Sequence, residues 1–220
     1  MIKDQLTDIR QHLPENAQLV AVSKFHPLQT LQEAYDAGQR IFGESRVQEL
    51  LPKHEAMPDD VEWHFIGSLQ TNKVKYIAPF VALIHSVDSF RLLEEIDRQG
   101  QRCGRTIDIL LEVHVAQETS KHGFLPSELL AMLEEGRWKS LQHVRIRGLM
   151  TMASFTEDEK QIDKEFATIA QLFQDIKRKY FAEADYFNLR SWGMSDDYPI
   201  ALRHEANLVR IGTAIFGARA

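Results

Sequence analysis

The chain has 220 residues, 44% of them hydrophobic and 26% charged, with a formal net charge of −6. That is the balance of a globular protein long enough to bury one large core. The acidic excess, and the lack of basic runs with interleaved aromatics, argue against a nucleic-acid partner. No apolar stretch approaches membrane-spanning length and the amino terminus has no signal-peptide core, so no membrane association is expected. The one cysteine, Cys103, leaves no internal disulfide and suits a reducing compartment. The cytoplasm is the expected location and a monomer the expected state.

A leading helix is expected over about 2–12. Short apolar runs of strand type then follow at 18–23, 40–43, 62–66, 81–86, 107–115, 144–149, 184–188 and 207–211. Helical patterns separate them at 28–38, 44–56, 70–77, 89–102, 126–137, 158–180 and 196–204, and a closing helix is possible from 213. Start and stop signals support several helices. Ser89 precedes Leu92, Leu93 and Ile96 at helical spacing, and Pro126 opens a segment that Gly136 ends. The longest pattern is expected to present Ile162, Phe166, Ile169, Leu172, Phe173 and Ile176 as its apolar face at three-to-four spacing. Strands alternating with helices predict a parallel sheet, and eight strands close a barrel. The rival is an open doubly wound sheet, which would advertise a glycine-rich first turn if it bound a nucleotide. No such turn follows Lys24. A single-domain α/β fold is therefore predicted over 1–220: a (β/α)8 TIM barrel with an extra N-terminal helix.

In a barrel, chemistry sits at the carboxyl ends of the strands. Leu19-Val20-Ala21-Val22-Ser23-Lys24 puts a lysine at that end of the first strand. A lysine amine in a pocket attacks aldehydes, so Lys24 is a candidate for a Schiff base; the plainer reading is a solvated lysine closing a strand. Phosphate sites in barrels use the loops after strands seven and eight. Those loops are expected at Asn188–Asp197 and from Arg210 to Gly217, and they offer Ser191, Gly193, Gly212 and Thr213. Glycine lets an anion approach the backbone, and hydroxyls and helix-start amides donate to it. The same residues could equally cap helices and make turns. Asp196 and Asp197 are expected in a first helical turn with side chains outward. Arg210 closes strand eight and needs an acceptor. The ring nitrogen of a cofactor and a salt bridge to Glu112 or Glu44 are the two candidates. His64, among apolar neighbours, reads as a hydrogen-bonded core histidine. The nine histidines show no metal-ligand spacing, and no metal site is expected.

The motifs VAVSK (20–24), RIFGESRVQE (40–49), WHFIGSLQTNK (63–73), IHSVDS (84–89), ETSKHGF (118–124), RGLMTM (147–152), GMSDDY (193–198) and VRIGTAIFG (209–217) occur in this order. With them the chain resembles the YggS/PROSC family of pyridoxal phosphate homeostasis proteins over nearly its whole length. That family looks like the barrel domain of alanine racemase standing alone. The resemblance implies pyridoxal 5′-phosphate as cofactor, joined to Lys24 as an aldimine. Ser191, Gly193, Gly212 and Thr213 would then hold the phosphate, and Arg210 would face the pyridine nitrogen. An arginine there keeps that nitrogen unprotonated and weakens the ring as an electron sink. The chain departs from the family pattern at Ser45, at Arg190 and Trp192 around the phosphate-loop serine, and at His204-Glu205-Ala206, where a Gly-Ser or Gly-Thr pair usually stands.

The function so implied is buffering or delivery of the reactive aldehyde, with apoenzymes as partners and an influence on amino- and keto-acid metabolism. No robust turnover is expected. The rival is a pyridoxal-dependent racemase or related enzyme, which needs bases on both faces of the cofactor. Alanine racemases take the second base from an added β domain, for which no room is expected after Ala220. A third reading is a barrel that binds another phosphorylated metabolite without a covalent bond.

Overall fold

The computed structural model describes residues 1–116 and 122–217, so the stretch 118–121 of the ETSKHGF motif lies outside the described residues. Helix α1 (Ile2–His12) precedes strand β1 (Gln18–Val22). Then come α2 (Leu28–Asp36), β2 (Ile41–Glu44), α3 (Val47–Ala56), β3 (Glu62–Phe65), α4 (Val74–Ile77) and β4 (Leu83–Val87). They are followed by α5 (Phe90–Cys103), β5 (Ile107–Glu112), α6 (Pro126–Glu135), β6 (Val144–Met150) and α7 (Glu159–Tyr180). The last elements are β7 (Leu189–Met194), α8 (Tyr198–Arg203), β8 (Leu208–Ile211) and α9 (Thr213–Phe216). All neighbouring strands pair in parallel, and β8 returns to β1, so the sheet closes as an eight-stranded barrel with α1 outside it.

Helix boundaries follow local chemistry. Ser89 Oγ accepts from the Leu92 amide at the start of α5, and Gly104 ends it at φ +66. Pro126 occupies the first turn of α6 and Gly136 ends it at φ +71. The long α7 is capped by Asp158, whose carboxylate accepts from the Lys160 and Gln161 amides. Its apolar face, Ile162, Phe166, Ile169, Phe173 and Ile176, is buried against the barrel.

Strand seven lies later than the apolar pattern places it. The run at 184–188 is not a strand; β7 is Leu189–Met194. The apolar residues of the connecting loop are spent elsewhere, with Phe187 stacked on Phe173 and Phe181 beneath α7. The true strand, Leu-Arg-Ser-Trp-Gly-Met, has two consecutive polar residues and a glycine, so it forms no apolar run. Ser191 and Gly193 therefore stand in β7 itself, not in the loop after it.

Two layers fill the barrel. Val20, Leu83, Leu110, Met150 and Leu208 form an inner apolar cluster, with Ile41 and Leu189 packed on it. Side chains two residues apart share a strand face. Leu83, Leu110, Leu189 and Leu208 are accordingly followed, one layer nearer the carboxyl end, by His85, Glu112, Ser191 and Arg210, all buried. A barrel layer at this height is ordinarily filled by branched apolar residues. Here it is polar.

Candidate functional site at the barrel mouth

Lys24 lies two residues past β1, half-buried, on the same alternation as Val20. Its neighbours are clamped by β2 and α3. The Ser23 amide donates to Gly43 O at 3.0 Å, and Ser23 Oγ donates to Glu44 Oε1 at 2.6 Å. Lys53 Nζ donates to Ser23 O at 2.9 Å and to the same Glu44 oxygen at 2.6 Å. The Phe25 amide donates to Glu49 Oε2 at 2.9 Å. Phe25 holds φ +67, the left-handed region that aromatic residues rarely enter, with the Arg46 guanidinium 4.8 Å over its ring. Glu44 and Lys53 are both buried. Burial raises the Glu44 carboxyl and Lys53 pulls it back down. Glu44 Oε2 is buried with no hydrogen-bond partner. A buried ion pair thus fixes the turn that carries Lys24.

Arg210, at 4% exposure, crosses the mouth from β8. Its Nη1 donates to Ser191 O at 2.7 Å and to Ser191 Oγ at 2.6 Å, and its Nη2 donates to Thr151 O at 2.8 Å. These three bonds leave two of the five N–H donors of the guanidinium for other acceptors. Among the described residues no carboxylate pairs with it, and Glu44 is taken by Lys53. Burial lowers Arg210 to about 10, while the charges of Asp197 and Glu112 pull it upward. Glu112 is pushed up to about 7 by burial and then by Asp88, against the pull of Arg210. Asp197 does not point outward as the sequence suggests. It is buried, and its Oδ1 accepts from the Met194 amide at 2.5 Å. Burial raises its carboxyl, the main opposing effect being that amide bond. Asp196 is exposed as expected.

Where β8 ends, Gly212 follows the strand and Thr213, exposed, begins α9. A Cβ at Gly212 would meet Val22 O at 3.1 Å and Val22 Cβ at 3.2 Å, so β1 and β8 approach closely there. The Gly212 amide donates to Ser195 Oγ at 3.4 Å. Ser195 on the β7–α8 connection, rather than Ser191, is thus the hydroxyl beside Gly212 and Thr213. Ser191 is wholly buried and engaged with Arg210. Gly193 adopts φ +92, and a Cβ there would meet Ala201 Cβ at 2.7 Å. It bends the end of β7 beneath α8.

Of the sequence departures, Ser45 follows the carboxyl end of β2, whereas those at Arg190, Trp192, His204 and Glu205 cluster on the outside of the barrel. Ser191 faces inward, so Arg190 and Trp192 face outward. Trp192 Nε1 donates to His204 O at 3.2 Å, and the His204 ring meets Asp163 Oδ1 at 2.9 Å. Arg190 lies 3.7 Å from Glu205 and over the Phe173 ring. Glu205 holds φ +61, a conformation that favours glycine, in the segment where the resemblance leads one to expect a glycine. The four residues form one outer layer between β7, α7 and α8.

Ser195 lies inside the loop expected over 188–197 but is not singled out by sequence reasoning, and neither are Lys53 and His85. The signal for His85 was available: two residues after Leu83, it shares an inward face.

The alanine racemase N-terminal domain family matches residues 1–220. The pyridoxal phosphate homeostasis protein of Aquifex aeolicus is 39% identical over 204 residues, 92% of this chain and 87% of that protein. PipY of Synechococcus elongatus, solved without PLP, superposes with a TM-score of 0.92 at 37% identity and covers 99% of this chain and 100% of its own. The same protein with PLP bound gives 0.89 at 36% identity, with the same coverage. An alanine racemase of Clostridium difficile shares the fold, with a TM-score of 0.81 at 14% identity over 99% of this chain and 56% of its own. With this fold, this mouth and this similarity over nearly its whole length, the chain belongs to the family of pyridoxal phosphate homeostasis proteins.

Proposed function

We propose that the barrel mouth binds pyridoxal 5′-phosphate and that the protein buffers or delivers this cofactor to apoenzymes. The observation that carries the reading is the convergence of three complementary groups on one mouth. Lys24 stands on a clamped turn after β1, Arg210 is a buried cation with donors to spare, and Ser195 and Gly212 meet where β7 and β8 end. The donor set suits the group: an amine for an aldehyde, a cation for a ring acceptor, and amides and hydroxyls for a phosphate. The PLP-bound relative at 36% identity supports it.

When bound, the cofactor supplies an electrophilic carbon and a conjugated ring. Lys24 provides the amine, and the Glu44–Lys53 clamp holds its backbone. Arg210 would supply the donor for the ring nitrogen and, keeping its own proton, would leave that nitrogen unprotonated. Gly212, Thr213 and Ser195 hold the phosphate. Ser191 sets the position of Arg210, and Gly193 shapes the end of β7. A ring held this way is a weak electron sink, which favours carriage over carbanion chemistry. The relatives named as homeostasis proteins support the same choice. The rival is racemase or transaminase activity.

The test is a titration of purified protein with pyridoxal 5′-phosphate and with pyridoxal, followed by visible absorption and then by a panel of amino acids. Saturable binding of the phosphorylated form, much weaker binding of pyridoxal, and no sustained turnover are expected. Equal affinity for both forms would refute the phosphate site. Turnover on the order of 1 s⁻¹ or more, lost in Lys24→Ala, would establish an enzyme instead.

A further inference from the structure

A hydrogen-bonded chain crosses the barrel interior beneath the mouth. It begins at Arg210 on β8, whose Nη1 lies 2.6 Å from Ser191 Oγ on β7. Ser191 Oγ lies 2.9 Å from His85 Nδ1 on β4. His85 Nε2 lies 2.9 Å from His64 Nδ1 on β3. All four residues are buried. The binding of the cofactor as read above uses only the first of these contacts. Two histidines and a serine remain in a layer where a barrel needs only branched apolar side chains.

The direction of the chain follows from its first donor. A guanidinium carries no acceptor, so Arg210 donates and Ser191 Oγ accepts. Among the described residues, the serine hydrogen then has one remaining partner, His85 Nδ1. A ring that accepts at Nδ1 and is neutral carries its proton on Nε2, and so donates to His64 Nδ1. His64 in turn carries its proton on Nε2. Each of the three contacts then has one donor and one acceptor. The reverse direction would leave the Ser191 hydrogen buried and unpaired, which costs free energy. Neutral rings fit the surroundings. Burial holds His64 down at about 3. Burial, then His64 and Arg210, hold His85 well below the usual imidazole value.

We propose that His85 and His64 are positioning residues of the cofactor site, acting through Ser191 to fix the Arg210 guanidinium opposite the ring of pyridoxal 5′-phosphate. The proposal rests on the cofactor reading above. Ser191 meets Arg210 twice, through its carbonyl and its hydroxyl, and the histidine relay orients the hydroxyl so that its lone pair, not its hydrogen, faces the cation. Without His85 the hydroxyl is free to rotate its hydrogen toward Arg210, and the Nη1 edge loses one of its two acceptors. The two remaining N–H donors are then less well placed for an acceptor of the ligand.

The first arm of the test needs no cofactor. Nitrogen-15 imidazole NMR of the cofactor-free protein reports the tautomer of each ring. Two neutral rings, both protonated on Nε2, are expected; either ring protonated on Nδ1 or doubly protonated near neutral pH refutes the chain. The second arm uses pyridoxal 5′-phosphate with wild type, His85→Leu and His85→Asn, each shown to be folded by circular dichroism. Asparagine offers an acceptor near the position of Nδ1. His85→Leu should bind the cofactor about tenfold or more weakly and should shift the pH dependence of the bound spectrum, as expected when the ring nitrogen loses a fixed arginine. His85→Asn should recover most of both. Should His85→Leu fail to fold, His64→Leu carries the same expectation with a smaller effect. Failure of wild type to bind would refute the cofactor reading itself. Binding by wild type, with His85→Leu matching it in affinity and pH profile, would refute the positioning role alone.

Discussion

Acidification should expose the cost of burying His64. Its folded pKa is about 3 against 6.5 for a free imidazole. A group whose pKa is depressed by folding stabilises the protein fully above its unfolded pKa and loses that contribution as the pH falls toward its folded one. The window is therefore from 6.5 down to about 3. At about pH 5 the unfolded chain has taken up the proton and the folded chain has not. The gap of about 1.5 pH units, at about 1.36 kcal/mol each, is worth about 2 kcal/mol. Glu112 works the other way. Its folded pKa is raised to about 7 from 4.5, so the same acidification favours the folded state through it. A wild-type curve alone mixes these two with the other buried groups, His85, Asp197 and Glu44 among them. The informative quantity is a difference between wild type and His64→Gln, because Glu112 is common to both. Urea unfolding followed through the tryptophans at about pH 7.5 and about pH 5 measures it. Wild type should lose about 2 kcal/mol more than His64→Gln across this interval. A difference under about 0.5 kcal/mol, or one of opposite sign, would show that His64 is protonated inside the barrel or reached by water.

The buried pair of Glu44 and Lys53 makes a separate prediction: Lys53→Met should destabilise by about 3–5 kcal/mol, because it leaves Glu44 buried without its cation, while Glu44→Gln with Lys53→Met should recover much of the loss; urea midpoints of the singles and the double check this. Ser195→Ala and Thr213→Val should each weaken retention of pyridoxal 5′-phosphate by about 1–3 kcal/mol and leave the affinity for pyridoxal unchanged, as read by equilibrium dialysis of the two forms. Glu205→Gly should be neutral or stabilising by about 1 kcal/mol, since it removes a side chain from a left-handed position, and the thermal midpoint reads it.

The fold was legible in the sequence because strands buried on both faces read as apolar runs and their helices carry ordinary caps. The eighth run, 207–211, carries Arg210 near its end, and the first, 18–23, leads to Lys24. Strand seven was not legible for a physical reason. Its inward positions include a serine that serves the mouth, and its outward positions include Arg190, whose charge is spent on Glu205 and an aromatic ring. A strand that carries function loses the hydrophobic signature by which strands are found. The same early placement put Ser191 in the loop after the strand, whereas the hydroxyl beside the Gly212 amide is that of Ser195. Lys53 hid in a helical pattern as one more solvated lysine. Only the packing of α3 on the turn after β1 reveals that its ammonium is buried. The histidine chain spans β3, β4, β7 and β8, a juxtaposition that no local window contains.

The claim on which the rest depends is that Lys24 is the lysine that takes the cofactor. Borohydride reduction of wild-type protein loaded with pyridoxal 5′-phosphate, followed by proteolysis and mass spectrometry, measures it directly. The main adduct should fall on Lys24, and folded Lys24→Ala should carry no comparable adduct at any other lysine. A main adduct on Lys53, or on any other lysine in wild type, would contradict the assignment and with it the mouth as the covalent site.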